Sequence, residues 1–378
     1  VNTPVMTPVF ARDIALGQRN LPSREQYDAA MRDIFERRYY TNHGPLAREF
    51  EARLQRFLDA RHAICVTNAT IGLMMAFDAL GVRDSALVAA PGNPALRHAL
   101  TWCGIEALTC DADIGTGHLS IDHASRLLAG RKPGALIGSS LWGDACDAAA
   151  LCRLGELHGI PVLFDSLQAF GSTVAGARPG AAGRMEVFSF GLDDVLYAGG
   201  GACVATDDDA LAARLRNIRS SYGAGAPVSV DKTSNGRMSE AQAALGLVSL
   251  DRYAGRQAHN RELFEAWRDR LAGVEGIRVI EPSRVDVSNH QNLVCEVDAD
   301  AYGVTRDELI ERLAAHRVES RAVFAGAHAQ PLPGATRIGA AWMTLPLGAH
   351  VSVADIDAIC NLIAQTSVER VGSRGAAA

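Results

Sequence analysis

The chain has 378 residues, 48% hydrophobic and 21% charged, enough apolar material for a sizeable core and two domains, and too much for a disordered protein. Its formal net charge is −6, and it has no lysine-rich or arginine-rich block, which argues against a nucleic-acid backbone as partner.

In chain order, ALVAAPG (86–92), GALIGSSLWG (134–143), IPVLFDS (160–166), EVFSFG (186–191) and ACVATDD (202–208) are continuous apolar runs, as in strands buried on both faces. Between several of them, IGLMMAFDAL (71–80), DHASRLLAG (122–130) and DAAALCRLGELHG (147–159) have helical period. Strand, helix and parallel strand thus repeat, which predicts an α/β fold with a mostly parallel central sheet covered by helices on both faces. The turns after Ala90, Ser140, Phe164 and Phe190 should converge where such sheets bind ligands.

Met238 to Leu271 reads as one long helix. After it come IRVIEP (277–282), NLVCEVDA (292–299), the helix TRDELIERLAAH (305–316), the strand VESRAVF (318–324) and a last helix over 355–365, with SRGAAA frayed. The expected division is a large domain over 1–245, a connecting helix over 246–275, and a small α+β domain over 276–378. Eight cysteines, at 65, 103, 110, 146, 152, 203, 295 and 360, include no CxxC pair and read as buried free thiols, so no metal site is expected. No apolar stretch reaches the roughly 18 residues of a membrane span, and VNTPVMTPVFARDIAL has no basic start followed by a long apolar segment. A soluble, cytoplasmic protein is expected.

Several residues stand where chemistry is expected. In TNAT (67–70), unpaired N–H groups and the Thr70 hydroxyl at a helix start suit a phosphate, or Asn68 or Thr70 simply caps the helix. Asp165 ends an apolar strand, where a carboxylate is costly unless partnered. It could bind a metal, orient a histidine, pair with a protonated ring nitrogen or cap a helix, with Gln168 close by. Ser189 on the next strand offers another anion contact. The run Gly199–Gly201 allows close backbone approach but has no P-loop pattern.

The only lysines are Lys132 and Lys232, against 35 arginines, and arginine cannot form the imine that lysine forms with an aldehyde. Lys132 precedes a strand at the remote edge of the sheet. Lys232, in the polar segment SVDKTSNGRMSE, is the other candidate.

The motifs YYTNHGPLAREFE (39–51), TNATIGLMMAF (67–77), VLFDSLQAFGS (162–172), VFSFGLDDVLYAGGGACVAT (187–206), SNGRMSEAQAALGL (234–247) and LPL (345–347) together resemble the DegT/DnrJ/EryC1/StrS sugar aminotransferases. These are pyridoxal-phosphate proteins of fold type I, the aspartate-aminotransferase fold, that aminate keto-sugars attached to nucleotides. The resemblance covers nearly the whole chain and implies a homodimer acting on a small molecule, a sugar or another biosynthetic intermediate of secondary metabolism. It implies phosphate contacts by Thr70 and Ser189, with Asn68 alongside, and by Asn235 of the neighbouring subunit. Asp165 would partner the pyridine nitrogen and Gln168 lie beside the phenolic oxygen. His328, Trp142 and Lys232 would be substrate-side, and Thr41, Asn42 and Gly44 would belong to the active-site loop of the N-terminal arm.

Two departures stand out. Counting from Ser189, the place of the catalytic lysine is Asp194, beside Asp193. In PGNPA, Ala95 replaces the aromatic residue that stacks on the cofactor, a contact worth roughly 0.5–1.5 kcal/mol beyond its area. Three readings follow. Pyridoxal or pyridoxamine phosphate is held non-covalently, with Asp194 or His328 as acid or base in an elimination, isomerisation or condensation. Alternatively no cofactor is used, and Asp193, Asp194 and His328 act directly on a substrate in the inherited pocket. In the third reading the chain is a non-catalytic partner of an active homologue, and Asp193 and Asp194 only shape a turn.

Overall fold

The structure is a computed structural model describing residues 7–375 apart from 91, 181, 221–224, 226 and 324–330, with side chains through Thr366. Helices α1 (Arg24–Arg37) and α2 (Pro45–Leu58) precede β1 (His62–Val66), α3 (Ala69–Leu80), β2 (Ser85–Ala89), α4 (Pro94–Trp102) and β3 (Glu106–Cys110). Then come α5 (Ile121–Leu128), β4 (Ala135–Ser139), α6 (Ala148–His158), β5 (Val162–Asp165), β6 (Met185–Phe190), β7 (Gly201–Thr206) and α7 (Asp209–Arg219). Helices α8 (Glu240–Asp251) and α9 (Tyr253–Leu271) lead to β8 (Ile277–Val279), β9 (Leu293–Val297), α10 (Ala299–Tyr302) and α11 (Arg306–Ala315). Last are β10 (Arg321–Ala322), α12 (Pro333–Ala341), β11 (Trp342–Leu345) and α13 (Val353–Gly375).

The larger sheet has seven strands in the order β1-β7-β6-β5-β4-β2-β3. Strands β3, β2, β4, β5 and β6 are parallel, as the continuous apolar runs of β2, β4, β5 and β6 predict, while β3, a more exposed edge strand, escaped the sequence reading. Strand β7 departs from the expected parallel repeat and pairs antiparallel with both β6 and β1. Only residues 191–200 separate β6 from β7, too few for a helical crossover, so the chain must turn back.

Helices cover both faces. On one, Leu73 and Phe77 of α3 and Leu215 of α7 pack with Ile64, Val187 and Val204. On the other, Phe50 and Leu54 of α2 and Leu247 of α8 pack with Phe188 and Phe190. The first turns of α3 lie directly on the sheet. A Cβ at Gly72 would come within 3.3–3.4 Å of Val66, Val187 and Val204, so the start of α3 sits close against the sheet.

The second sheet is antiparallel, in the order β10-β11-β9-β8, and its core joins Trp267 of α9, Leu293, Met343 and Ile359 of α13. Three expectations change in this half. The run over 238–271 is two helices that part at Arg252 (φ −97°, ψ −1°), after which the Tyr253 hydroxyl is anchored on the Phe170 carbonyl. The strand expected over 318–324 shrinks to β10. Ahead of it, the backbone of Arg317 and Glu319 is bonded to Ile14 of the N-terminal arm instead. The last helix runs on through Gly375, so Ser373–Gly375 are helical where a frayed end was expected. Among the described residues no helix is long and apolar enough to cross a membrane.

Candidate active site

The parallel strands bring their carboxyl ends side by side: Ser139 is in register with Asp165, and Asp165 with Val187. Asp165 is 1% exposed. Its Oδ2 accepts from the Ser139 hydroxyl at 3.5 Å and its Oδ1 from the Leu167 N–H at 3.3 Å, both long bonds. Burial pushes its pKa up to about 7 against these weak donors. No cation pairs with it among the described residues. A carboxylate in this state calls for a cationic or hydrogen-donating partner from outside the chain.

The segments expected at a phosphate meet beside β6. Asn68 caps α3, its Oδ1 accepting the Ile71 N–H at 2.9 Å, while the Thr70 hydroxyl has no hydrogen bond within the described residues. Thr67 donates its N–H to the Gly236 carbonyl (2.9 Å) and accepts from Gln242 Nε2 (3.0 Å), which ties TNAT to the segment containing Asn235. Asn42 bridges Ser239, and the Thr41 carbonyl accepts the Glu240 N–H at 3.3 Å, so the N-terminal loop docks on that same segment. Asn235 is exposed and its Oδ1 accepts from Arg237 at 3.2 Å.

Asp194 is 8% exposed, in the turn after β6. Its Oδ2 accepts the Gly191 N–H at 2.5 Å and its Oδ1 the Gln291 amide at 2.9 Å, and the Ser189 hydroxyl also bonds the carboxylate. Burial raises its pKa, and the bonds from Ser189, Gly191 and Gln291 oppose that rise. Asp193 is exposed beside it.

The N-terminal arm runs along this turn. Arg19 donates its N–H to the Leu192 carbonyl (3.0 Å), and Asn20 Nδ2 donates to the Val195 carbonyl (2.7 Å). Gly17, at φ +81°, lies so close that an added Cβ would stand 2.1 Å from Asp193 Oδ1. Gln18, Asn20 and Gln291 escaped the sequence reading. GQRN and SNHQN look like ordinary polar loops, and no spacing links them to Asp194.

A cavity of about 210 Å³ opens over the turn, lined in part by Trp142, Gln168, Asp193, Asp194, Gln291 and Arg321. Gln168 Oε1 accepts the Trp142 N–H at 2.9 Å, which leaves the Gln168 amide hydrogens free of partners among the described residues. Trp142 itself adopts φ +56°, donates its indole N–H to Thr116 O at 3.1 Å and meets Trp342 edge-on at 6.2 Å.

The structure does not bring every candidate here. Lys232 is exposed and lines a separate apolar groove with Met74 and Trp102. Lys132 is exposed just before the amino end of β4, opposite the carboxyl ends of the strands where the candidate site lies. Ala95 opens α4 and packs against the α3 core, presenting a methyl group instead of a ring. His328 lies outside the described residues.

Residues 23–364 match the profile of the DegT/DnrJ/EryC1/StrS aminotransferase family. The chain belongs to that family. It is 29% identical to the GDP-perosamine synthase of Caulobacter vibrioides over 339 residues, covering 85% of this chain and 90% of that protein. It is 26% identical to a dTDP-4-amino-4,6-dideoxy-D-glucose transaminase of Shigella dysenteriae, covering 83% and 85%. Among solved structures, DesI crystallised in the presence of its TDP-sugar product superposes with a TM-score of 0.90 at 32% identity, covering 98% of this chain and 97% of that one. The fold is therefore that of the fold type I pyridoxal-phosphate enzymes, as the motifs implied. The family is one of aminotransferases, and the relatives similar to this chain include a transaminase of a nucleotide-linked amino sugar.

Proposed function

We propose that this chain is a cytoplasmic biosynthetic enzyme that holds pyridoxal or pyridoxamine phosphate without a covalent bond. Working as a homodimer, it carries out an elimination, isomerisation or condensation on a sugar-like small molecule rather than ordinary transamination. The observation that supports this reading is the buried carboxylate of Asp194, bonded by Gly191 and Gln291 and lining a cavity, at the position where the motif spacing from Ser189 leads one to expect the lysine.

The donor chemistry of the surrounding residues fits the cofactor. Asp165, buried and weakly bonded, would pair with the protonated ring nitrogen, and the free amide of Gln168 would serve the phenolic oxygen. Thr70 and the α3 start capped by Asn68 would hold the phosphate, with Ser189 once its hydroxyl turns from Asp194 and with Asn235 of the partner subunit. Thr41, Asn42 and Trp142 would form the substrate side. When bound, the cofactor supplies an electron sink beside the reacting carbon. Asp194 has no amine with which to tether it. What Asp194 can do is accept a proton: its oxygens are held in place, its burial raises its basicity, and water has little access to it.

A second reading is favoured by Ala95, whose methyl group offers no stacking face. In it, Asp194, Asp193 and His328 act on the substrate without any cofactor. Native mass spectrometry with added pyridoxamine phosphate or pyridoxal phosphate separates the two. One cofactor per chain, reduced in Asp165→Ala and not fixed to the protein by borohydride, supports the first. No retention of either cofactor at saturating concentration sinks it in favour of the second.

A further inference from the structure

Asp194 owes one of its hydrogen bonds to a residue that neither motif spacing nor the family match singles out. Gln291 is 97 residues further along the chain, just before β9, and 3% exposed. Its Nε2 donates to Asp194 Oδ1 at 2.9 Å, and its Oε1 accepts the Val195 N–H at 3.2 Å. The second bond decides which way the amide points. A backbone N–H can bond only to the oxygen end, so the nitrogen end must face the carboxylate.

Gln291 is itself immobilised. Its N–H donates to Asn289 Oδ1 at 2.8 Å, and its carbonyl accepts from Gln18 Nε2 at 2.7 Å. Asn260 of α9 locks both neighbours, donating to Gln18 Oε1 at 2.9 Å and to the Asn289 carbonyl at 3.1 Å. Gln18, Asn260 and Asn289 are fully buried. The N-terminal arm, α9 and the approach to β9 therefore converge on one amide, which reaches the turn after β6.

Among the described residues the charges around Asp194 are few. Asp193 adjoins it on the same turn, and Arg321 of β10 lines the same cavity, paired with Glu319. From the arm, the Arg19 guanidinium folds back on the Leu16 carbonyl at 3.3 Å. From β6 only the Ser189 hydroxyl reaches the carboxylate.

We propose that Gln291 is the positioning residue for Asp194, supplying one amide hydrogen from the small-domain side so that the carboxylate stays ionised, in one orientation, as a proton acceptor. The proposal rests on the reading that Asp194 moves a proton, but the contact can be tested without turnover.

The titration of Asp194 can be followed by infrared difference spectroscopy of its protonated-carboxyl band, assigned by the loss of that band in Asp194→Asn. In Gln291→Met, similar in shape but without a donor, the midpoint should rise by about one pH unit, because the lost bond favoured the charged form. Should that variant not fold, Gln291→Asn, whose amide is withdrawn by one methylene, should show a smaller rise in the same direction. A midpoint unchanged from wild type in the folded variant overturns the proposal. The two ideas fail separately: an active Asp194→Asn enzyme would remove the functional reading and leave the midpoint result standing.

Discussion

Ser139 on β4 stands directly across from Asp165 on β5, and its hydroxyl, 3.5 Å from Asp165 Oδ2, is the only side-chain donor this buried carboxylate has among the described residues. Glu186, on the opposite face of the sheet and bonded by the Ser166 hydroxyl, is in a similar state. Burial raises both pKa values to about 7. An unfolded chain releases these protons near pH 4, so between about pH 4 and pH 7 the native state binds more protons than the unfolded one. Stability from these groups is therefore fully present below that window and lost as pH rises through it. Buried neutral histidines such as His118 and His290, both lowered to about 4, contribute with the opposite sign over part of this window, so the test is the difference between wild type and Asp165→Asn. In urea unfolding of the cofactor-free protein, the stability of wild type relative to Asp165→Asn should be lower at about pH 7.5 than at about pH 5. A relative stability that is the same at both pH values would contradict this account.

Asp194→Asn should lower turnover by about 100-fold to 10,000-fold, the usual contribution of general acid–base catalysis. The fold should persist, because an amide oxygen can still accept the Gly191 N–H, at the cost of the bond from Gln291. On the proposed reading, Asp194→Lys should not restore transamination, since Ala95 would still offer a bound cofactor ring no stacking face. Steady-state rates on the identified substrate decide the matter, and an Asn variant with more than about half the wild-type rate passes the role to His328.

Glu51 and Arg219 form a buried ion pair at 2.5 Å, in which Glu51 also accepts the Cys65 N–H and Arg219 donates to the Cys65 carbonyl. The pair ties α2, β1 and α7 together. Glu51→Gln leaves the guanidinium buried without its counter-charge and should cost about 3 kcal/mol of unfolding free energy by denaturant titration. A loss below roughly 1 kcal/mol would mean that water reaches the site.

Gly17→Ala should disturb the site without touching its chemistry. The residue has φ +81°, strained for alanine, and its new methyl would meet Asp193. We expect a loss of about 1–2 kcal/mol in stability, with faster amide exchange in residues 191–195 as the arm loosens. Unchanged exchange there would show that the arm does not hold the turn.

The protein should sediment as a dimer at micromolar concentration, with composite sites to which each subunit lends Asn235. Asn235→Ala should then weaken retention of pyridoxamine phosphate while leaving the dimer intact. A monomer in sedimentation velocity would remove the basis for that role.

Sequence alone carried the strands β2, β4, β5 and β6, because strands buried on both faces must be continuously apolar and such runs are visible without any partner. It likewise placed Asp165 at a strand end and Asp194 in the turn after Ser189, since both are local facts of spacing. The direction of β7 was settled by the short return from β6, and the break at Arg252 by the anchoring of Tyr253 on Phe170, neither of which alters local hydrophobic period. Only the tertiary structure brought Gln291 to Asp194 and laid Gly17 and Asn20 along the same turn. Those contacts join segments far apart in the chain through single polar side chains. A buried amide finds its partner by where the backbone returns, and a polar loop residue has no periodicity that could announce it.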